Sequence, residues 1–265
     1  MKRRTHKLMP RALLAVSLLA GASVAAPAFV RAQTPTKVMV RVTSHDAKII
    51  GSGVGGARVT IRNAGTGAVL AEGTQEGGTG NTSLIMGVRE RNASVYDTDG
   101  AAGFLAEVAL SQPTWVEIVA EGPLGTPGAL RRSTTTALLL PGRDVLGDGI
   151  VLELLGFTVE LHAPASGGRL PAGEPFEVLA RVTMLCGCPT SPGGIWDSDG
   201  YEIVARVLRD GVLESETRLG YAGETSMHTA TIPAIGAGEV TIEVLAMDDA
   251  QGNFGVVREK FTVGQ

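Results

Sequence analysis

The chain has 265 residues, with 23 Lys and Arg against 27 Asp and Glu, and only 4% of it is aromatic. Six of the basic residues precede Gln33, so residues 33–265 carry 17 basic groups against 27 acids, a net charge of −10. That balance excludes nucleic acid and anionic lipid as partners, since both are met by a basic patch.

Residues 1–32 read as a targeting segment. Lys2, Arg3, Arg4, Lys7 and Arg11 form a basic start, and Ala12 to Ala20 is an apolar stretch too short to span a bilayer. Ala26-Pro-Ala28 and Val30-Arg-Ala32 offer small-residue cleavage sites, and cleavage after Ala32 is expected. No later run is long and apolar enough for a membrane helix, so no membrane insertion is expected. A periplasmic or secreted protein follows from this reading.

The rest reads as all-β. No segment sustains a 3.6-residue period, and short alternating apolar runs are separated by Gly, Pro, Asp and Asn. Two β-sandwich domains in series are expected, residues 37–155 and 156–265. Val38, Val40 and Val42 alternate with polar neighbours. Gly51–Gly56 imitates a dinucleotide-binding loop, but the period-2 strand Ala57–Arg62 follows it where a helix is required. Strands follow at Ala68–Ala71, Phe104–Leu110, Trp115–Ala120 and up to Pro141. Then, with no flexible linker, Leu154-Leu-Gly-Phe157 leads into Phe157–Leu161, Phe176–Val182, Tyr201–Leu208, Met227–Ile232, Val240–Met247 and Phe254–Val263. Asp210-Gly211 signals a hairpin turn. The missing linker predicts a stiff junction.

The motifs Gly56–Ile61 (GARVTI), Thr66-Gly67, Asp97–Phe104 (DTDGAAGF), Val116–Gly122 (VEIVAEG) and Leu138–Gly142 (LLLPG) resemble the carboxypeptidase regulatory-like domain, a transthyretin-like sandwich. Residues 73–95 are longer than that family's connection at this point. The resemblance implies the fold and carries no peptidase role, because nothing here is similar to the zinc peptidase domain that gives the family its name. Val240–Val257 (VTIEVLAMDDAQGNFGVV) resembles the closing hairpin of bacterial immunoglobulin-like domains, which implies an immunoglobulin-like second sandwich.

The unusual residues gather in Thr183–Gly200, which holds both cysteines, a tryptophan and the pair Asp197/Asp199. Three readings of Cys186 and Cys188 stand side by side: a strained, redox-labile disulfide, two structural thiols or an intermolecular link, and a soft-metal site. In an immunoglobulin-like sandwich the loop after the second strand, the start of the fifth and the end of the sixth meet at one pole. Met184 and Cys186 continue the inward series of Phe176, Val178, Ala180 and Val182, and His228 is in phase with Ala230 and Ile232. Thiolate, thioether and imidazole converging there suit Cu(I), so Met184, Cys186, Cys188, Met227 and His228 are the candidate copper ligands. Met184 and Met227 also suit a plain core-capping role. The Asp-rich turns at Asp97–Gly100, Asp197–Gly200 and Asp248-Asp249 lack a calcium loop's ligand spacing and fit ordinary turn chemistry.

Only His45, His162 and His228 remain after residue 32, with no Gly-x-Ser-x-Gly and no His-Glu-x-x-His, so no enzyme is expected. The reading is an exported binding or assembly module that handles copper through its Cys-x-Cys loop. Its alternatives are a structural adhesion or scaffold module, or a thiol–disulfide redox partner. The partner expected is another exported protein or a metal ion.

Overall fold

The computed structural model describes residues 32–264; the expected targeting segment lies outside them but for Ala32. Among the described residues no helix is long and apolar enough to cross a membrane.

The first sandwich contains β1 (Thr34–Ser44), β2 (Ala57–Asn63), β3 (Val69–Gln75), a single-turn helix α1 (Thr82–Met86), β4 (Phe104–Leu110), β5 (Thr114–Gly122), β6 (Arg131–Leu139) and β7 (Val145–Leu154). One sheet runs β4-β1-β7 and the other β3-β2-β5-β6. The alternation in β1 buries Val38, Val40 and Val42 against Val59, Ile61, Val116 and Ile118 of the facing sheet, as two sheets with one wet face each require. β7 returns parallel to β1, with a register shift between Val38 and Val40.

Residues 76–103 add a satellite. Asn81 caps α1 by accepting from the Leu84 N–H, and Ile49, Ile85, Val95, Tyr96 and Ala102 make a small core of their own. Two polar side chains tie this addition down. Buried Arg41 donates to the carbonyl of Ala102 at 2.7 Å and pairs with Asp97 at 2.8 Å. Asp148 accepts from Ser94 Oγ and from the N–H groups of Val95, Tyr96 and Asp97. Desolvation pushes the Asp148 carboxyl up, but these four donors together hold it below the ordinary carboxylate range.

The second sandwich contains β8 (Phe157–Ala163), β9 (Arg169–Pro171), β10 (Phe176–Met184), β11 (Glu202–Arg209), β12 (Val212–Arg218), β13 (Gly220–Tyr221), β14 (Met227–Ile232), β15 (Gly238–Asp248) and β16 (Asn253–Gly264). Its sheets are β13-β14-β10-β8 and β12-β11-β15-β16-β9. Asp210 and Gly211 both have positive φ, 50° and 80°, the conformation a two-residue hairpin turn demands. Gly252, also at positive φ, closes the β15–β16 turn by donating to the Asp248 carbonyl.

Gln75 is fully buried, and its amide behaves as a piece of strand. Its Oε1 accepts from the Val42 N–H at 2.7 Å, and its Nε2 donates to the carbonyls of Val42 and Ile50. Gln75→Leu leaves the Val42 N–H and the Ile50 carbonyl unpaired inside the core, while the Val42 carbonyl keeps the Ile50 N–H. Each unmet group costs about 1–3 kcal/mol, so chemical denaturation should show a loss of at least ~2 kcal/mol with the native fold retained.

Candidate functional site

The Thr183–Gly200 segment is a joint between the two sandwiches, with Thr183–Cys186, Cys188, Thr190, Trp196 and Ser198 buried. β10 carries Met184 into the core of the second sandwich beside Cys186, Cys188 and Trp196. Leu185, between them, is fully buried in the core of the first sandwich, with Val54, Ala57 and Leu154. The chain thus places consecutive residues in two different cores. Ala47 makes the reciprocal move, leaving the β1–β2 connection of the first sandwich to join the second core.

Cys186 and Cys188 are joined by a disulfide, and each is 4% exposed. Gly187 between them has φ 77°, and a Cβ there would come within 2.8 Å of Val54 Cγ1. Both the backbone conformation and the close approach call for glycine. The Gly187 N–H donates to the Met184 carbonyl and the Met184 N–H to the Cys188 carbonyl, which folds the tripeptide into a compact turn pressed on the first sandwich.

The rest of the loop is pinned from both sides. Thr190 Oγ1 donates to the Val182 carbonyl at 2.7 Å, and the Ser226 Oγ accepts from the Thr190 N–H at 3.1 Å. Trp196, 6% exposed, crosses to the first sandwich, where its Nε1–H donates to the Asp46 carbonyl at 3.0 Å. Asp197 accepts from the N–H groups of Gly193 and Asp199, so the carboxylate serves its own turn. The covalent junction is held as well. The Gly156 N–H donates to buried Asn253 Oδ1 at 2.8 Å, and Phe157 packs its ring on Tyr201 with centroids 4.9 Å apart. Acidic groups ring this joint. Burial, with Asp248, Asp46 and Asp197 close by, pushes the Tyr201 phenol up to about 12. Burial also raises the Asp46 carboxyl; His45 opposes the rise, and Asp248 and Glu153 add to it.

The five candidate copper ligands divide. Met184, Cys186 and Cys188 share the second core. Met227 and His228 open β14, opposite Arg181 and Ala180 of β10. The donor set fits copper only with the disulfide opened, because a bonded cysteine offers no thiolate. Among the described residues no group of three or more His, Cys, Asp and Glu side chains is arranged to hold a metal ion. Sequence reasoning missed Leu185, Gly187, Thr190 and Ser226. Only the glycine between two cysteines hinted at a tight approach.

His228 lies beside the joint. It is 3% exposed and lines a cavity of about 130 Å³ with Asp199, Tyr201, Arg218 and Tyr221; neither ring nitrogen makes a well-aligned hydrogen bond, the Ser226 backbone being its nearest partner. Burial lowers its pKa, and the nearby Ser226 backbone opposes that shift only in part.

No family model matches the sequence, and no curated protein matches it. Solved structures similar to it include an engineered protein, 19% identical over 48% of this chain with a TM-score of 0.32; this chain spans 24% of that one's length. The fibronectin(III)-like modules of CbhA from Clostridium thermocellum are 17% identical, with 87% of this chain and 94% of that one covered and a TM-score of 0.28. A chimeric titin Z1Z2-Z1Z2 tandem is 12% identical, with 88% and 100% covered and a TM-score of 0.27. TM-scores of this size carry no argument about the role of this chain.

The buried imidazole gives stability a defined pH dependence. The unfolded chain binds the His228 proton near the ordinary value of 6.5, while the folded chain resists it to lower pH. Stability is therefore full above about pH 6.5 and falls as pH drops toward the folded pKa, because the unfolded state then holds more protons. Urea unfolding of wild type and His228→Leu across pH 7.5 to 4.5 should show a smaller acid-side loss in the variant.

Proposed function

We propose that the chain is an exported, non-enzymatic structural or adhesion-type scaffold: two β-sandwich domains, residues 37–155 and 156–265, locked into one stiff rod. The first is read as carboxypeptidase regulatory-like and the second as immunoglobulin-like, on their turn and strand motifs. The observation that carries the reading is the interlock, with Leu185 in one core, Ala47 in the other, and Trp196 bonded across the seam. Two sandwiches joined only by a linker would move independently by default. Contacts that place side chains in each other's cores suit a module whose task is to hold its two ends at a fixed separation. The residues of greatest chemical reactivity, Cys186 and Cys188, are spent on that joint.

This reading and copper handling separate experimentally. The scaffold predicts that the purified protein, with Cys186 and Cys188 reduced and both thiols counted, does not compete with a Cu(I) chelator. Copper withdrawn at chelator concentrations that Cys186→Ser/Cys188→Ser leaves untouched would favour the metal reading instead. The scaffold also predicts one rotational correlation time for both sandwiches in NMR relaxation. Gly187→Val, which forces a side chain against Val54, should split it into two faster values while each sandwich stays folded. Two correlation times in the wild type would defeat the proposal.

A further inference from the structure

The outer edges of a β-sandwich are where unpaired N–H and C=O groups invite another strand, and natural sheets blunt them with bulges, charge or cover. Most edges here are blunted. β13 has two residues and β9 three. The ladders bearing β3, β8 and β12 each slip register once, and β12 sets Glu214 and Glu216 in ion pairs with Arg209 and Arg206. β7 has Gly147 and Gly149 at positive φ, and Asp148 between them holds residues 94–97 alongside. β4 lies under β3, where the Phe104 ring leaves no room for a Cβ on Gly73.

β6 is not blunted; the outer side of β16 before Thr262 is also left unpaired by the short β9. β6 pairs with β5 from Arg131 to Leu139 in nine consecutive pairs without a slip, and no strand is paired to its other side among the described residues, where Ser133–Thr135 border an open cavity shared with Val151–Glu153 of β7, Arg89 and Tyr96. It contains no Pro and no Lys; its middle is Ser133-Thr-Thr-Thr-Ala137. Its wet face carries exposed Thr134, Thr136 and Leu138. Trp115, 61% exposed, stands directly beside Leu138 on β5.

We propose that β6 is a docking edge for the β6 strand of a second copy, paired antiparallel about a two-fold axis at Thr135. The sequence is self-complementary in that register. Thr134 meets Thr136 of the other copy, a favourable cross-strand pair. Ser133 meets Ala137, so small residues meet on the inward side. Arg132 meets Leu138, which brings its guanidinium beside the exposed Trp115 face, where a cation is welcome. No like charges face each other, and the exposed Trp115–Leu138 pair is covered. A two-fold contact of this kind joins two stiff rods side by side without leading to open-ended fibres. The proposal goes beyond the scaffold reading and stands or falls apart from it, since a rod can be rigid as a monomer.

Sedimentation equilibrium of the purified protein tests the edge. Wild type should show a concentration-dependent dimer. Thr134→Lys/Thr136→Lys places lysine opposite lysine twice and should be monomeric over the same range. Thr134→Lys/Thr136→Glu places lysine opposite glutamate and should recover the dimer. Circular dichroism and melting temperature unchanged from wild type establish that each variant is folded. Because the described residues hold no free cysteine, Thr135→Cys should also yield a covalent dimer on mild oxidation. A wild type monomeric up to about 1 mM, a dimer indifferent to the two lysines, a Lys/Glu variant as monomeric as the Lys/Lys one, or no Thr135→Cys cross-link overturns the proposal.

Discussion

The seam between the sandwiches depends on one contact: Leu185 sits in a core that belongs to the other sandwich. Burying a leucine fully contributes about 1.5–3 kcal/mol, a large share of what a domain of this size has to spare. Because Met184 and Cys186 on either side are fixed in the second core, Leu185 has no freedom to leave without dragging its neighbours. That makes the seam cooperative with both folds. Gly187 permits the approach, Trp196 and Asp46 fasten the far end of the loop, and Asn253 fastens the covalent crossing at Gly156.

Buried polar groups follow the same economy. Gln75, Arg41, Asn253 and Thr190 each spend a side chain on backbone groups that irregular chain leaves unpaired, as buried N–H and C=O groups demand. The satellite of residues 76–103 exists on these terms. Its apolar core is five residues, too small to hold the segment, so Arg41 and Asp148 supply the remaining attachment. His228 does not follow the pattern. It shares a strand with the core-facing Ile232, and its burial lowers its pKa.

Much of this was legible in the residues. Alternation placed β1, β10 and β15 and the inward side of Met184 correctly, because period-2 burial is a property of the strand itself. Asp210-Gly211 marked its hairpin for an equally local reason. Only the end of β7, running into the junction at Leu154, was legible; its start was not, because Gly147-Asp-Gly149 breaks the alternation where the pairing with β1 shifts register. Leu185 escaped for a different reason. Parity says it points away from its own core, and a lone sandwich has only solvent there. Whether "outward" means water or a neighbour's interior depends on how two sandwiches meet, and no local pattern encodes that.

Two of the five candidate copper ligands, Cys186 and Cys188, are bonded to each other in the turn beside Leu185. A bridge between residues two apart closes so short a loop that it takes little entropy from the unfolded chain. Its contribution is therefore local: it keeps Cys186 and Cys188 together in the second core while Gly187 rests on Val54. To bind Cu(I), both sulfurs would have to be reduced, deprotonated and turned toward His228 across the strand pair β10–β14. Thiolates are charged and cannot remain in an apolar core without a partner. The packing of Leu185, Ala47 and Trp196 across the seam stabilises the closed turn.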